Sequence, residues 1–115
     1  MKILITGANG LLGHELSSIL KEHTLILLSH EQLDISNSEL VDKYITSNSP
    51  DYVINSAAYT QVDACETNYD LAYSSNALGP RNLAITFFSL FLTSGKIFFS
   101  WDFSRPILQK EFSTL

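Results

Sequence analysis

Apolar residues in this chain come alternately in short runs and at helical spacing. The first run, Lys2-Ile3-Leu4-Ile5, reads as a buried strand and leads directly into Thr6-Gly7-Ala8-Asn9-Gly10-Leu11-Leu12-Gly13. Behind those glycines Leu12, Leu16, Ile19 and Leu20 recur with the period of a helix, which predicts an amphipathic helix from about Leu11 to Glu22. Thr24 to Leu28 is a second short run, read as a buried strand. Ser36 followed three residues later by Glu39 is the pattern of a capping box, and Leu40, Val41, Tyr44 and Ile45 give the helix behind it one apolar face. That helix should stop near Asn48-Ser49-Pro50, because a proline restricts the residue before it. Tyr52-Val53-Ile54 reads as a third strand and Lys96 to Ser100 as a fourth. Between them a long helical stretch runs from Asn68 to about Leu92, interrupted and bent at Gly79-Pro80.

Strands alternating with helices over short links predict an α/β fold, a Rossmann-like doubly wound parallel sheet of about four strands. Residues 1–103 are expected to form one partial unit of this fold, and residues 104–115 an irregular tail with no period of either kind. The segment Ile85 to Leu92 is apolar almost all round, so a helix there keeps no solvated face. A doubly wound fold calls for further strand-helix units beyond this point, so the chain reads as truncated.

Composition narrows the functional classes. The 115 residues suit one compact domain, and 45 % apolar with 17 % charged residues fits a globular protein. A net charge of −5 without a Lys/Arg cluster argues against a nucleic-acid partner. The most apolar segment, Leu83 to Leu92, is far shorter than the ~18 residues of a membrane span. One cysteine, Cys65, leaves no internal disulfide and suits a reducing cytoplasm.

The glycine turn carries the strongest chemistry. Lying between a strand and a helix, it aims free backbone N–H groups and the positive end of the helix dipole at whatever sits above the sheet, and a phosphate is the natural occupant. Gly7 would permit the tight turn, Gly10 the approach of a pyrophosphate and Gly13 close packing of helix on strand, with the spacing G-x-x-G-x-x-G. Asp34, 21 residues beyond Gly13, is the candidate for the acid on the adenosine side, with Glu31 at 18 as its rival. Ser29-His30 lies just past the second strand, where a ribose 2′-phosphate would sit; histidine hydrogen-bonds a phosphate without being a fixed cation. Asn55-Ser56-Ala57-Ala58-Tyr59-Thr60 follows the third strand at the sheet edge where ligands bind in open α/β folds. Asp63, Cys65 and Glu66 lack histidine partners at ligand spacing, so no metal site is assigned. None of the five tyrosines has a lysine four residues on, and no Ser/His/Asp set points to a hydrolase.

Taken in order, Ile5 to Gly13, Leu33-Asp34-Ile35, Pro50 to Thr60 with Val62-Asp63 and Glu66, and Asn76-Ala77-Leu78-Gly79-Pro80 with Asn82-Leu83-Ala84 resemble the N-terminal part of dTDP-4-dehydrorhamnose reductases. That family belongs to the extended short-chain dehydrogenase/reductase superfamily, and the resemblance covers Met1 to about Ile85. It implies NADPH- or NADH-dependent reduction of the 4-keto group of dTDP-4-dehydro-L-rhamnose. It would put Gly7, Gly10, Leu11 and Leu12 at the pyrophosphate, Asp34 and Ile35 at the adenine, and Ala58, Tyr59 and Thr60 on the path to nicotinamide and sugar. Some family members bind Mg²⁺ and members form dimers, mostly through contacts outside this segment. The family's catalytic threonine position aligns with Trp101, and its Tyr-x-x-x-Lys element has no counterpart, so no catalytic residue is assigned. A nucleotide-sugar substrate is expected only of the intact enzyme. The alternatives are a non-catalytic dinucleotide-binding subunit and an inactive remnant.

Overall fold

The computed structural model describes residues 1–59, 67–94 and 97–100. Strand β1 (Lys2–Thr6) is followed by helix α1 (Leu11–Ile19), strand β2 (Thr24–Leu28), helix α2 (Ser38–Asn48) and strand β3 (Tyr52–Asn55). A continuous helical stretch comes next: α3 (Tyr69–Tyr73), a π-helical turn (Ser74–Leu78) and α4 (Gly79–Ser94), before strand β4 (Ile97–Ser100). The four strands form one parallel sheet in the order β2-β1-β3-β4, the expected Rossmann-like α/β arrangement. Trp101 and the tail from 104 to 115 lie outside the described residues, as do Thr60, Asp63, Cys65 and Glu66.

Register places Leu4 between Ile26 and Val53, and these three side chains share one face of the sheet. Leu28, Leu33, Ile35, Val41, Ile45, Leu83 and Phe87 complete the core on that face, so the sheet buries its apolar surface against α2 and α4. Ile3 and Ile5 point to the opposite face and are buried as well. At the top of the sheet the Thr6 hydroxyl donates to Asn55 Oδ1 at 2.7 Å, a buried link between the carboxyl ends of β1 and β3. The same Asn55 oxygen accepts from Ala57 N at 3.1 Å, which starts the loop beyond β3.

Several elements differ from the sequence expectation. Helix α1 stops at Ile19 rather than near Glu22, because Thr24 N must bond Met1 O at 2.9 Å for β2 to join the sheet. Strand β2 is a half-covered edge in which only Leu28 is buried, not a buried strand. The cap of α2 is Asn37, whose side chain accepts from Leu40 N at 3.1 Å, and not Ser36, whose hydroxyl is engaged by Asp34. The helix closes through Ser49 in a left-handed conformation (φ 44°), after which Pro50 is buried. At Gly79-Pro80 the helical stretch continues. The missing proline N–H is absorbed by the wide turn before it, in which Gly79 N bonds Ser74 O, so Pro80 falls in the first turn of α4 where no N–H is needed. Helix α4 does extend through the apolar segment: Leu83 and Phe87 are buried, while Ile85, Phe88 and Leu92 are exposed on its outer side. Among the described residues, no helix is long and apolar enough to cross a membrane.

Candidate dinucleotide site

The loop between β1 and α1 is shaped by backbone contacts that admit no side chain. Gly7 adopts φ +63°, and a Cβ on it would stand 2.6 Å from Ala57 N, so β1 and the loop beyond β3 touch backbone to backbone. A Cβ on Gly13 would collide with Gly7 O and lie 2.7 Å from Ala8 Cα, which is how α1 can begin directly beneath the turn. Ala8 N bonds Leu28 O at 3.1 Å, tying the turn to the end of β2. From the other side, Ser56 Oγ donates to Thr6 O at 2.5 Å. The N-cap of α1 is Gly10, which offers no side-chain acceptor, and the first turn carries no acid. This contrasts with α2, which is capped by Asn37 and has Glu39 in its first turn. No side chain therefore caps the amides opening α1, and the positive end of its dipole is not offset by an acid in the first turn.

The N-cap Gly10 borders a cavity of about 360 Å³ above the carboxyl edge of the sheet. Gly7, Asn9 and Gly10 form its floor, His30, Glu31 and Ile35 one rim, and Ser56, Ala57, Ala58 and Tyr59 the other, with Leu71 and Ser75 closing the side. Of the residues predicted from sequence, Gly7, Gly10, His30, Ile35, Ala58 and Tyr59 meet there. Leu11, Leu12, Gly13 and Asp34 do not line it, and Thr60 lies outside the described residues. Leu11, almost fully exposed, and Leu12 stand in the first turn of α1.

Asp34 is occupied beside the cavity. Its Oδ1 accepts from Ser36 Oγ at 2.6 Å and Ser36 N at 3.0 Å, forming a turn that leads into α2. The Ser36 hydroxyl, with the Ser36 amide and His30 adding smaller effects, holds the Asp34 carboxyl below the usual carboxylate range. The Glu31 carboxyl is also held low, chiefly by its own backbone amide and then by the Ser29 hydroxyl.

Two asparagines of the long helical stretch hold the rims. Asn76, on the π-helical turn, accepts from Tyr59 N at 2.7 Å and donates to Tyr59 O at 3.0 Å. Asn82, buried on α4, donates to Ile35 O at 2.9 Å and Ser36 O at 3.1 Å. Gly79 lets α4 come this close, since a Cβ there would run into the Ile35 side chain. The sequence reading gave neither asparagine a role. A signal was present, because asparagine is a poor helix former and its repetition around Gly79-Pro80 implies partners outside the helix. Among the described residues, no group of three His, Cys, Asp or Glu side chains could hold a metal ion.

Known proteins resemble this chain in sequence and in fold. The family described as RmlD substrate binding domain matches residues 1–87. The chain is 42 % identical over 85 residues to the dTDP-4-dehydrorhamnose reductase of Mycolicibacterium smegmatis, a match covering 72 % of this chain and 25 % of the relative. Among solved structures it superimposes on the Clostridium acetobutylicum dTDP-4-dehydrorhamnose reductase with a TM-score of 0.78 and 47 % identity, covering 85 % of this chain and 34 % of that one. The Bacillus anthracis enzyme, solved in complex with NADP, gives a TM-score of 0.74 and 36 % identity over 84 % of this chain and 34 % of its own. The chain thus spans about a quarter to a third of the length of these relatives.

Removing the Asn82 amide leaves the Ile35 and Ser36 carbonyls without their donor. Asn82→Ala should cost about 1–3 kcal/mol, seen as a lower urea midpoint; an unchanged midpoint would mean the clamp holds nothing. Asp34 predicts a pH effect of definite sign. Its folded-state pKa is depressed, so its contribution is present above the unfolded value near pH ~4 and is lost as pH falls through the lower folded value. Asp34→Asn should therefore flatten the loss of thermal midpoint with acidification below about pH 4, and equal slopes in both proteins would contradict that assignment.

Proposed function

The chain belongs to the RmlD substrate binding domain family, and on that premise we propose that it is the dinucleotide-binding part of a dTDP-4-dehydrorhamnose reductase. The reading is carried by one observation: a helix N-terminus without a side-chain cap meets, at its N-cap Gly10, a cavity also lined by Gly7 and Asn9. Gly7 and Gly10 leave room for a diphosphate, and the amides of Leu11, Leu12 and Gly13 are the donors that would receive it. Ile35 would pack on the adenine, Asp34 would brace the loop that carries it, and His30 would meet a ribose phosphate. Ala58, Tyr59 and Thr60 would guide the other end toward nicotinamide and sugar. The NADP complex of the Bacillus anthracis relative favours NADPH as the partner.

A bound reduced nicotinamide supplies hydride to a sugar 4-keto carbon. The residues described here bind the nucleotide, orient it along the sheet edge and hold the two rims apart. Delivering a proton to the reduced oxygen calls for a further group, since no tyrosine of this chain has a lysine four residues on. We assign residues 1–103 to nucleotide binding, place the protein in a cytoplasm that keeps Cys65 reduced, and assign the nucleotide-sugar to the complete enzyme, where a homodimer is the expected state.

Gly10 provides the test. A Cβ there meets only Gly7 O at 3.4 Å, so a side chain fits the protein and intrudes on the ligand space alone. NADPH at one hundred times its dissociation constant should stabilise the native chain by about 2.7 kcal/mol, read as a rise in thermal midpoint. Gly10→Asp, which places a carboxylate cap on α1, should melt no lower than the native chain without nucleotide and lose the NADPH-induced rise. A native chain that melts cooperatively yet gains nothing from NADPH would refute the reading.

A further inference from the structure

Resting on the nucleotide reading above, we propose that His30 makes the site's choice between 2′-phosphorylated and unphosphorylated dinucleotides depend on pH. His30 stands on the cavity rim beyond β2, the place where a dinucleotide fold reads the adenosine ribose. Its position is fixed by a tight turn. Ser29 N donates to Gln32 Oε1 at 2.9 Å, Leu33 N donates to Ser29 O at 2.9 Å, and Ser29 itself is buried. The rim is braced further along by Asn82 on Ile35 and Ser36.

The charges around the imidazole are all of one sign. Glu31 lines the cavity beside it, Asp34 lies on the same loop, and both carboxylates feel the imidazole electrostatically. Tyr59 on the opposite rim is the remaining ionisable group among the described residues that line the cavity, and none of those residues is Lys or Arg. A 2′-phosphate therefore meets Glu31 with only an imidazole to offset it. Protonated, His30 donates a charge-assisted hydrogen bond to the phosphate. Neutral, it leaves a rim whose net charge repels phosphate while Glu31 still accepts from a ribose 2′-hydroxyl. An arginine would recognise the phosphate at every physiological pH; histidine does so only on the acid side.

Calorimetric titration of the complete chain with NADP⁺ and NAD⁺, between about pH 6.5 and 8.5, tests this. The preference for NADP⁺ should fall about tenfold across that range, and NADP⁺ but not NAD⁺ should bind with proton uptake, read from the dependence of the heat on buffer ionisation enthalpy. His30→Arg should hold the preference high and level, which also controls for the phosphate's own titration near pH ~6. His30→Gln should hold it low and level. A native preference that does not move with pH, or that His30→Gln leaves intact, overturns the inference while nucleotide binding stands. Failure of the folded chain to bind either nucleotide overturns it together with the reading it rests on.

Discussion

Everything above the sheet depends on a contact from which side chains are excluded. Gly7 at φ +63° lies against the backbone of Ser56 and Ala57, and Gly13 lies beneath Gly7 and Ala8. Together they bring the carboxyl ends of β1 and β3 and the start of α1 within one small volume. Any Cβ at Gly7 or Gly13 would push these elements apart by more than a flexible side chain could absorb, because the opposing atoms are main chain. The gain is a helix start whose opening amides no side chain caps, which is the basis of anion recognition at helix N-termini. Thr6 and Asn55 lock the same junction from within, using buried side chains that satisfy each other rather than solvent.

The cavity walls follow from a second constraint. The helical stretch from Tyr69 to Ser94 crosses behind both rims, gripping Tyr59 through Asn76 and Ile35 with Ser36 through Asn82. The π-helical turn carries the first grip, Asn76, precedes the second and accommodates Pro80, so a backbone irregularity beside the proline falls where the two grips part. One continuous helical stretch thus links the loop we assign to adenine with the loop we assign to nicotinamide.

Much of this was legible from residue order. The strand runs around Leu4, Ile26 and Val53 and the parallel α/β arrangement follow from apolar runs alternating with helical spacing, and the glycine turn announces its own position between strand and helix. What was not legible depended on competition for the same polar groups. Ser36 and Asn37 both suit a helix cap, and Asn37 takes the role because Asp34 already holds the Ser36 hydroxyl. The spacing of Asp34 from Gly13 says nothing of that bond, which turns its carboxylate to the loop. The sequence also placed a bend at Gly79-Pro80, where the chain instead widens one turn. Asn76 and Asn82 stood out only as part of the family pattern, and their role was not legible because their partners are backbone atoms of loops 17 and 47 residues away.

The central claim is that the opening amides of α1 receive a dinucleotide diphosphate. Amide-resolved NMR titration of the ¹⁵N-labelled chain with NADP⁺ addresses it directly. The account predicts that the largest shifts fall on Gly10, Leu11, Leu12 and Gly13, with smaller ones at His30 and Ala58. Shifts confined to other surfaces, or a folded spectrum that nucleotide leaves unchanged, would contradict it.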